Sequence, residues 1–135
     1  MIDASLTVAW YFEDESTREI DALLDRVADT GAVVPAHWRL EVANAFQMAV
    51  RHRRIDAVYR DESLAELAVM PITIDDDTSS YAWSTTLRLA EQYSLTLYDA
   101  AYLELARRHS LPLATLDRDL HGAAQKLDIE VLGPG

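Results

Sequence analysis

Apolar residues fall into short runs separated by longer stretches of helical period. The short runs end at Asp3, or cover Ala32-Val33-Val34-Pro35, Ile72-Thr73-Ile74, Leu113-Ala114-Thr115-Leu116 and Glu130-Val131-Leu132. Runs this short, bounded by Gly, Pro or polar residues, read as buried strands. Between them the pattern predicts helices. Ser5 is expected to cap a short helix through Phe12, and Ser16 to open an amphipathic one ending near Gly31. Trp38 through Arg53 is apolar on several sides, which predicts a well-buried helix. A helix from about Ile55 to Met70 places Leu64, Leu67 and Ala68 on one face and stops at Pro71. Further helices are predicted from Thr78 to Tyr93, from Thr96 to His109 and from Asp119 to Leu127. Strands alternating with helices imply right-handed crossovers and a mostly parallel central sheet flanked by helices, an α/β fold. Without repeat, linker or low-complexity tract, the 135 residues read as one domain, 1–135.

Composition narrows the chemistry. The chain has no cysteine, which excludes disulfides and thiolate metal sites and fits a reducing cytoplasm. No stretch approaches the roughly 20 apolar residues of a membrane span. Met1-Ile2-Asp3-Ala4-Ser5 lacks the basic and then apolar pattern of a secretory leader, so a soluble, cytoplasmic protein is expected. The formal net charge is -11. Such a charge argues against broad, non-specific nucleic-acid binding, which draws its affinity from neutralised phosphates. It leaves room for an acidic pocket that holds a divalent cation, or for a basic partner.

Ligands of parallel α/β sheets bind at the carboxyl ends of the strands. Asp3 and Asp117 each follow a predicted strand, Glu41 lies one turn into the helix after Ala32–Val34, and Asp99 lies in the first turn after Thr96. Each has a plain structural alternative. Asp3 fits a solvated turn and Asp117 a helix cap. Thr96-Leu97-Tyr98-Asp99 fits a capping box, and Glu41 fits an ion pair with Arg39, Arg51 or an arginine elsewhere. Carboxylates converging on one cleft repel one another and force some to protonate unless a cation joins them. With oxygen ligands alone, that cation is Mg²⁺ or Mn²⁺, whose waters can attack a phosphodiester.

Four segments carry a family likeness across essentially the whole chain. They are Ile2-Asp3-Ala4-Ser5 followed by Val8-Ala9-Trp10-Tyr11-Phe12, the run Pro35 to Ala45 around Glu41, the run Leu95 to Ala106 around Asp99, and Leu113 to Leu120 around Asp117. In this order and context the sequence resembles PIN domains, and among them VapC-type toxins. The resemblance implies a three-layer fold and metal-dependent endonucleolytic cleavage of RNA. It also implies homodimers and inhibition by a cognate antitoxin that occupies the cleft. Carried over by position, the family's acids fall on Asp3, Glu41, Asp99 and Asp117 as catalytic and metal-holding residues. Thr115 matches the hydroxyl residue that helps orient the site, and Asp119 is an outer acid or a surface cap. The family's first strand usually has several residues before its Asp. Here Met1 and Ile2 precede it, so either a short first strand or a start truncated relative to the family is expected, with Asp3 less firmly held in both cases.

The remaining residues give less. His37, His52, His109 and His121 are scattered and are read as surface or structural, which disfavours histidine acid–base cleavage. Arg51, Arg53 and Arg54, with His52, form the one basic cluster, read either as a solvated helix end or as a contact to the RNA backbone. Trp10, Tyr11, Phe12, Trp38, Phe46, Tyr98 and Tyr102 are read as core or dimer interface. A haloacid-dehalogenase-type phosphatase wants an Asp where Ser5 stands and a lysine near the last strands, whereas the only lysine, Lys126, is in the final helix. A receiver domain fails on the same lysine. The non-enzymatic alternative is a PIN-like RNA- or protein-binding regulatory module.

Overall fold

The computed structural model describes residues 1–133. The order is α1 (Ala4–Ala9), α2 (Arg18–Thr30), β1 (Ala32–Val34), α3 (Trp38–Arg51), α4 (Ala57–Ala68), β2 (Ile72–Ile74), a 3₁₀ turn (Thr78–Tyr81), α5 (Thr85–Tyr93), α6 (Leu97–His109), β3 (Leu113–Ala114), α7 (Arg118–Lys126) and β4 (Val131–Leu132). Every strand pairing is parallel. Val33 of β1 lies opposite Thr73 of β2, and Leu113 of β3 opposite Val131 of β4. Ile2 bridges Ala114 in the same sense, which is all that forms of the short first strand. The parallel ladder is therefore hydrogen-bonded in two segments, with helices flanking it in the expected three-layer α/β arrangement.

Three local expectations are corrected. Ser5 is not the cap of α1. Asp3 is, because strand pairing ends there and its extended backbone (φ -93°, ψ 173°) lets the carboxylate accept from the Leu6 N–H at 3.0 Å. The helix predicted from Thr78 to Tyr93 breaks into the 3₁₀ turn and α5. Thr78 spends its hydroxyl on Asp75 and on the Ala36 N–H, a local bonding that competes with a continuous helix. The strand predicted to Leu116 stops at Ala114, since the Thr115 hydroxyl accepts from the Asp117 N–H and turns the chain into α7.

Helix α6 is the pillar of the core. Ala100 to Ala106 are all buried, and Leu103 and Leu105 stand beside the fully buried Leu6, Val34, Phe46, Leu113 and Leu120. Each such side chain contributes about 1.5–3 kcal/mol relative to exposure. The buried tryptophans satisfy their N–H groups: Trp10 donates to the Ile20 carbonyl at 2.9 Å and Trp38 to the Thr7 hydroxyl at 3.2 Å. Gly31 takes φ +80° between α2 and β1, where a Cβ would stand 2.9 Å from the Pro71 carbonyl oxygen. Only glycine suits that close approach.

One guanidinium locks the exit of β2 to α6. Arg108 donates from Nη2 to Asp75 Oδ2 at 2.6 Å and from Nε to Glu104 Oε2 at 2.8 Å, and it lies over the Tyr81 ring. Both carboxylates are buried, and Arg108 together with the Thr78 hydroxyl holds Asp75 below the usual carboxylate range.

Candidate active site

Asp3 leaves the sheet beside β3 and is buried, 5% exposed. Its Oδ1 accepts from the Leu6 N–H, both its oxygens face the Ser5 hydroxyl at 2.8 and 2.9 Å, and Thr115 Oγ1 donates to Oδ2. Ser5 in turn accepts from the Leu116 N–H at 3.2 Å, and Thr115 from the Asp117 N–H at 3.0 Å. A closed circuit of hydroxyls and amides thus ties the first acid to the last across more than a hundred residues. Burial pushes the Asp3 carboxyl up to about 6 against the pull of these hydrogen bonds, and the charge of Asp117 adds to the rise.

Asp117 caps α7 by accepting from the Leu120 N–H at 2.9 Å, so the capping alternative holds for it, and its charge also reaches Asp3 and Asp99. Asp99 stands half-buried in the first turn of α6. Thr96 accepts from the Asp99 N–H at 3.1 Å, the forward half of the capping box. Burial raises the Asp99 carboxyl, with further repulsion from Asp117 and Asp119. Asp119 itself is exposed in the first turn of α7, where a negative charge suits the helix dipole.

Glu41 finds neither Arg39 nor Arg51. Its Oε1 accepts from the Tyr102 hydroxyl at 2.6 Å and lies 3.4 Å from His37 Nε2. That nitrogen also meets the Tyr98 carbonyl at 2.9 Å, which assigns it the proton. The His37 ring packs edge-on against Tyr98 and Tyr102, with centroids 5.7 and 5.5 Å apart. Tyr102 is 1% exposed, and burial together with the charges of Glu41, Asp3 and Asp99 drives its hydroxyl far above the ordinary range, so it stays a donor. Sequence reasoning placed Tyr102 in the core or a dimer interface and His37 among surface or structural residues, without linking either to Glu41. The available signals were local: Tyr102 follows Asp99 by three residues and His37 precedes Glu41 by four, both one-turn spacings on a helix.

All four acids are thus electrostatically coupled or hydrogen-bonded around Tyr102 and Thr115. Among the described residues, no arginine or lysine forms an ion pair with any of them. An oxygen-only donor set of this charge suits a hard divalent cation in kind. In the present side-chain arrangement, no group of three or more His, Asp or Glu among the described residues is disposed to hold a metal ion. The oxygen donors are of the kind that Mg²⁺ or Mn²⁺ prefers.

The predicted basic cluster lies apart from this cleft. Arg51 is ten residues beyond Glu41 on α3, about 15 Å at 1.5 Å per residue. Arg54 pairs with Asp14 at 3.0 Å and Glu15 at 3.1 Å and sits over the Phe12 ring. Arg53 takes φ +59° and forms no ion pair among the described residues. A groove of about 1070 Å³ lies here against Tyr11, Phe12, Arg53, Ile55 and Tyr59, and its lining includes none of Asp3, Glu41, Asp99 and Asp117.

Parallel strands flanked by helices, with acidic residues gathered just past the strand ends, define an α/β protein. The PIN domain family matches residues 1–126, and the chain belongs to that family. It is 35% identical over 101 residues to ribonuclease VapC3 from two strains of Mycobacterium tuberculosis, matching 73% of this chain and 69% of that protein. The fold is also similar to the crystal structure of PAE2754 from Pyrobaculum aerophilum, with a TM-score of 0.66 and 25% identity, over 90% of this chain and 83% of that one. Among the described residues, no helix is long and apolar enough to cross a membrane.

Proposed function

We propose that the protein is a Mg²⁺- or Mn²⁺-dependent endoribonuclease, the toxin of a toxin–antitoxin pair acting in the cytoplasm. The observation that carries this reading is the coupled group of acids: Asp3, Glu41, Asp99 and Asp117 come from four segments, and among the described residues no arginine or lysine pairs with them. A PIN-family chain similar to a VapC3 ribonuclease supports it. The bound cation supplies polarisation of the phosphoryl oxygen, acidification of water and stabilisation of the departing 3′ oxygen. In this reading the four acids hold the cation directly or through water. Thr115 and Ser5 keep the Asp3 carboxylate in place, and Asp119 adds negative charge at the rim.

The test is cleavage of a structured RNA pool with Mg²⁺ or Mn²⁺ and with EDTA, comparing the wild type with Asp99→Asn. Among the described residues Asp99 carries no side-chain ion pair, so the variant should fold. Loss of a charged group that acts on the transition state lowers cleavage by about 10²–10³-fold. Metal-independent cutting, or equal cutting by both proteins, would sink the assignment. A binding module without turnover is the second reading, favoured by the lack of any three-group metal arrangement among the described residues. A folded wild type that binds RNA and never cuts it would establish that reading instead.

The same proposal gives RNA backbone contacts to Arg51 and Arg53, because Arg54 is engaged within the protein. An Arg51→Ala/Arg53→Ala variant is expected to reduce the slope of log affinity against log salt by about 1.4, two single-strand phosphate contacts at about 0.7 each. Unchanged affinity and slope would return the cluster to a solvated helix end. A second copy of the chain and an antitoxin are the proposed protein partners. Exposed Leu40 and Tyr98 flank an apolar groove of about 310 Å³ whose wall includes Ala82 and Thr86, next in sequence to the exposed Trp83 and Leu87. That face suits a homodimer contact.

A further inference from the structure

Glu41 differs from the other three acids in how it is held. Asp3 and Asp117 are fixed by backbone amides of the turns they occupy, and Asp99 stands on the buried pillar α6. Glu41 has a longer side chain, projects from the first turn of a different helix, and accepts from no amide among the described residues. Left alone it would sample several rotamers, with up to about 2 kcal/mol of side-chain entropy to lose on binding a cation.

One group removes that freedom. The Tyr102 hydroxyl meets Oε1 at 2.6 Å, and the Tyr102 ring is itself immobilised, 1% exposed within α6. His37 stands 3.4 Å from the same oxygen, while its nitrogen proton is directed to the Tyr98 carbonyl. Both neighbours therefore lie on Oε1, and no protein group is bonded to Oε2 among the described residues. The helix that presents Asp99 also carries, one turn later, the hydroxyl that fixes Glu41.

We propose that Tyr102 is a positioning residue for Glu41. Its hydroxyl pins Oε1, leaves Oε2 as the free oxygen for the cation, and makes α6 the common reference for two carboxylates that come from different segments. This rests on the metal-dependent reading above. Partners that orient a metal-holding side chain commonly contribute 10–100-fold in metal affinity or activity.

The experiment measures Mn²⁺ affinity by calorimetry, and kcat and KM on a cleaved RNA, for the wild type, Tyr102→Phe, Glu41→Gln and the double variant, with folding read separately by urea unfolding. Tyr102→Phe keeps the buried ring. It is expected to weaken Mn²⁺ binding and lower kcat by about tenfold each, with KM for RNA unchanged. In the Glu41→Gln background the same substitution should change Mn²⁺ affinity by less than twofold, because the hydroxyl acts through that carboxylate. Mn²⁺ affinity of Tyr102→Phe within twofold of the wild type would overturn the proposal. So would a tenfold loss that persists in full in the Glu41→Gln background, since that is what general damage to the core produces. A wild type that binds Mn²⁺ but cuts no RNA would overturn only the nuclease reading, and the Mn²⁺ affinities would still decide the role of Tyr102. A wild type that binds no Mn²⁺ would overturn both.

Discussion

Asp3→Asn is expected to stop RNA cleavage and, in EDTA at neutral pH, to make the protein more stable. The asparagine oxygen can still accept from the Leu6 N–H, and its amide can donate to the hydroxyls of Thr115 and Ser5, so the turn into α1 survives. What disappears is a buried charge. Burial lifts this carboxyl from 3.8 to about 6. Below pH 3.8 the group is neutral in both the folded and the unfolded chain and costs nothing. As pH rises from there to 6, the unfolded chain gives up its proton first, so folding stability falls. Above 6 the full penalty applies, about 3 kcal/mol at 1.36 kcal/mol per pH unit. The variant escapes it. Urea unfolding in EDTA should therefore show the two proteins alike near pH 4 and Asp3→Asn ahead by up to about 3 kcal/mol at pH 7.5. Cleavage should drop by about 10²–10³-fold or more. Added Mg²⁺ should raise the stability of the wild type and not of the variant, because binding to the folded state alone shifts the equilibrium. A variant less stable than the wild type at pH 7.5 in EDTA would show that Asp3 is structurally required, not an ionised group held at a cost for function.

Arg108→Ala is expected to produce the largest loss of stability. The guanidinium bonds to both Asp75 and Glu104, which are 7% and 3% exposed, while His109 approaches only Asp75, at 3.9 Å. Its removal leaves two buried acids facing each other, and breaking a buried pair in this way costs about 3–5 kcal/mol. Glu104 lies two residues from Tyr102 in the fully buried stretch of α6, so damage there is close to the site along the helix. Urea unfolding should show a lower midpoint with an unchanged slope. Lowering the pH should recover part of the loss, since protonating the stranded acids removes their repulsion. A change below about 1 kcal/mol at pH 7 would place the pair in the class of screened surface bridges.

The sequence carried the helices and the fold class because both rest on local periodicity. The pattern from Thr96 to His109 could be read directly, and α6 begins and ends where that pattern does. Helix starts were less legible. Ser5 and Asp3 are both good caps, and the choice fell to Asp3 only because the bridge from Ile2 to Ala114 ends strand pairing at that residue. The stretch from Thr78 to Tyr93 read as one helix because its composition does not reveal that Thr78 is drawn to Asp75 and to Ala36.

The four acids were visible as positions at strand ends and first helical turns, and their spacing along the chain follows from the alternation of strands and helices. Their environments were not visible. The contact of Tyr102 with Glu41 spans 61 residues and that of Thr115 with Asp3 spans 112. Hydrogen bonds at such separations depend on how α3, α6 and β3 pack, and no periodicity encodes that packing. The same holds for Arg54, which read as a free cation until the fold brought Asp14 and Glu15 to it. Sequence alone determined which side chains are available at the carboxyl edge of the strands, because local chain geometry sets that. Tertiary structure alone decided which of them are buried, what each is bonded to and which oxygen is left free, because those depend on surfaces that meet only when distant segments pack.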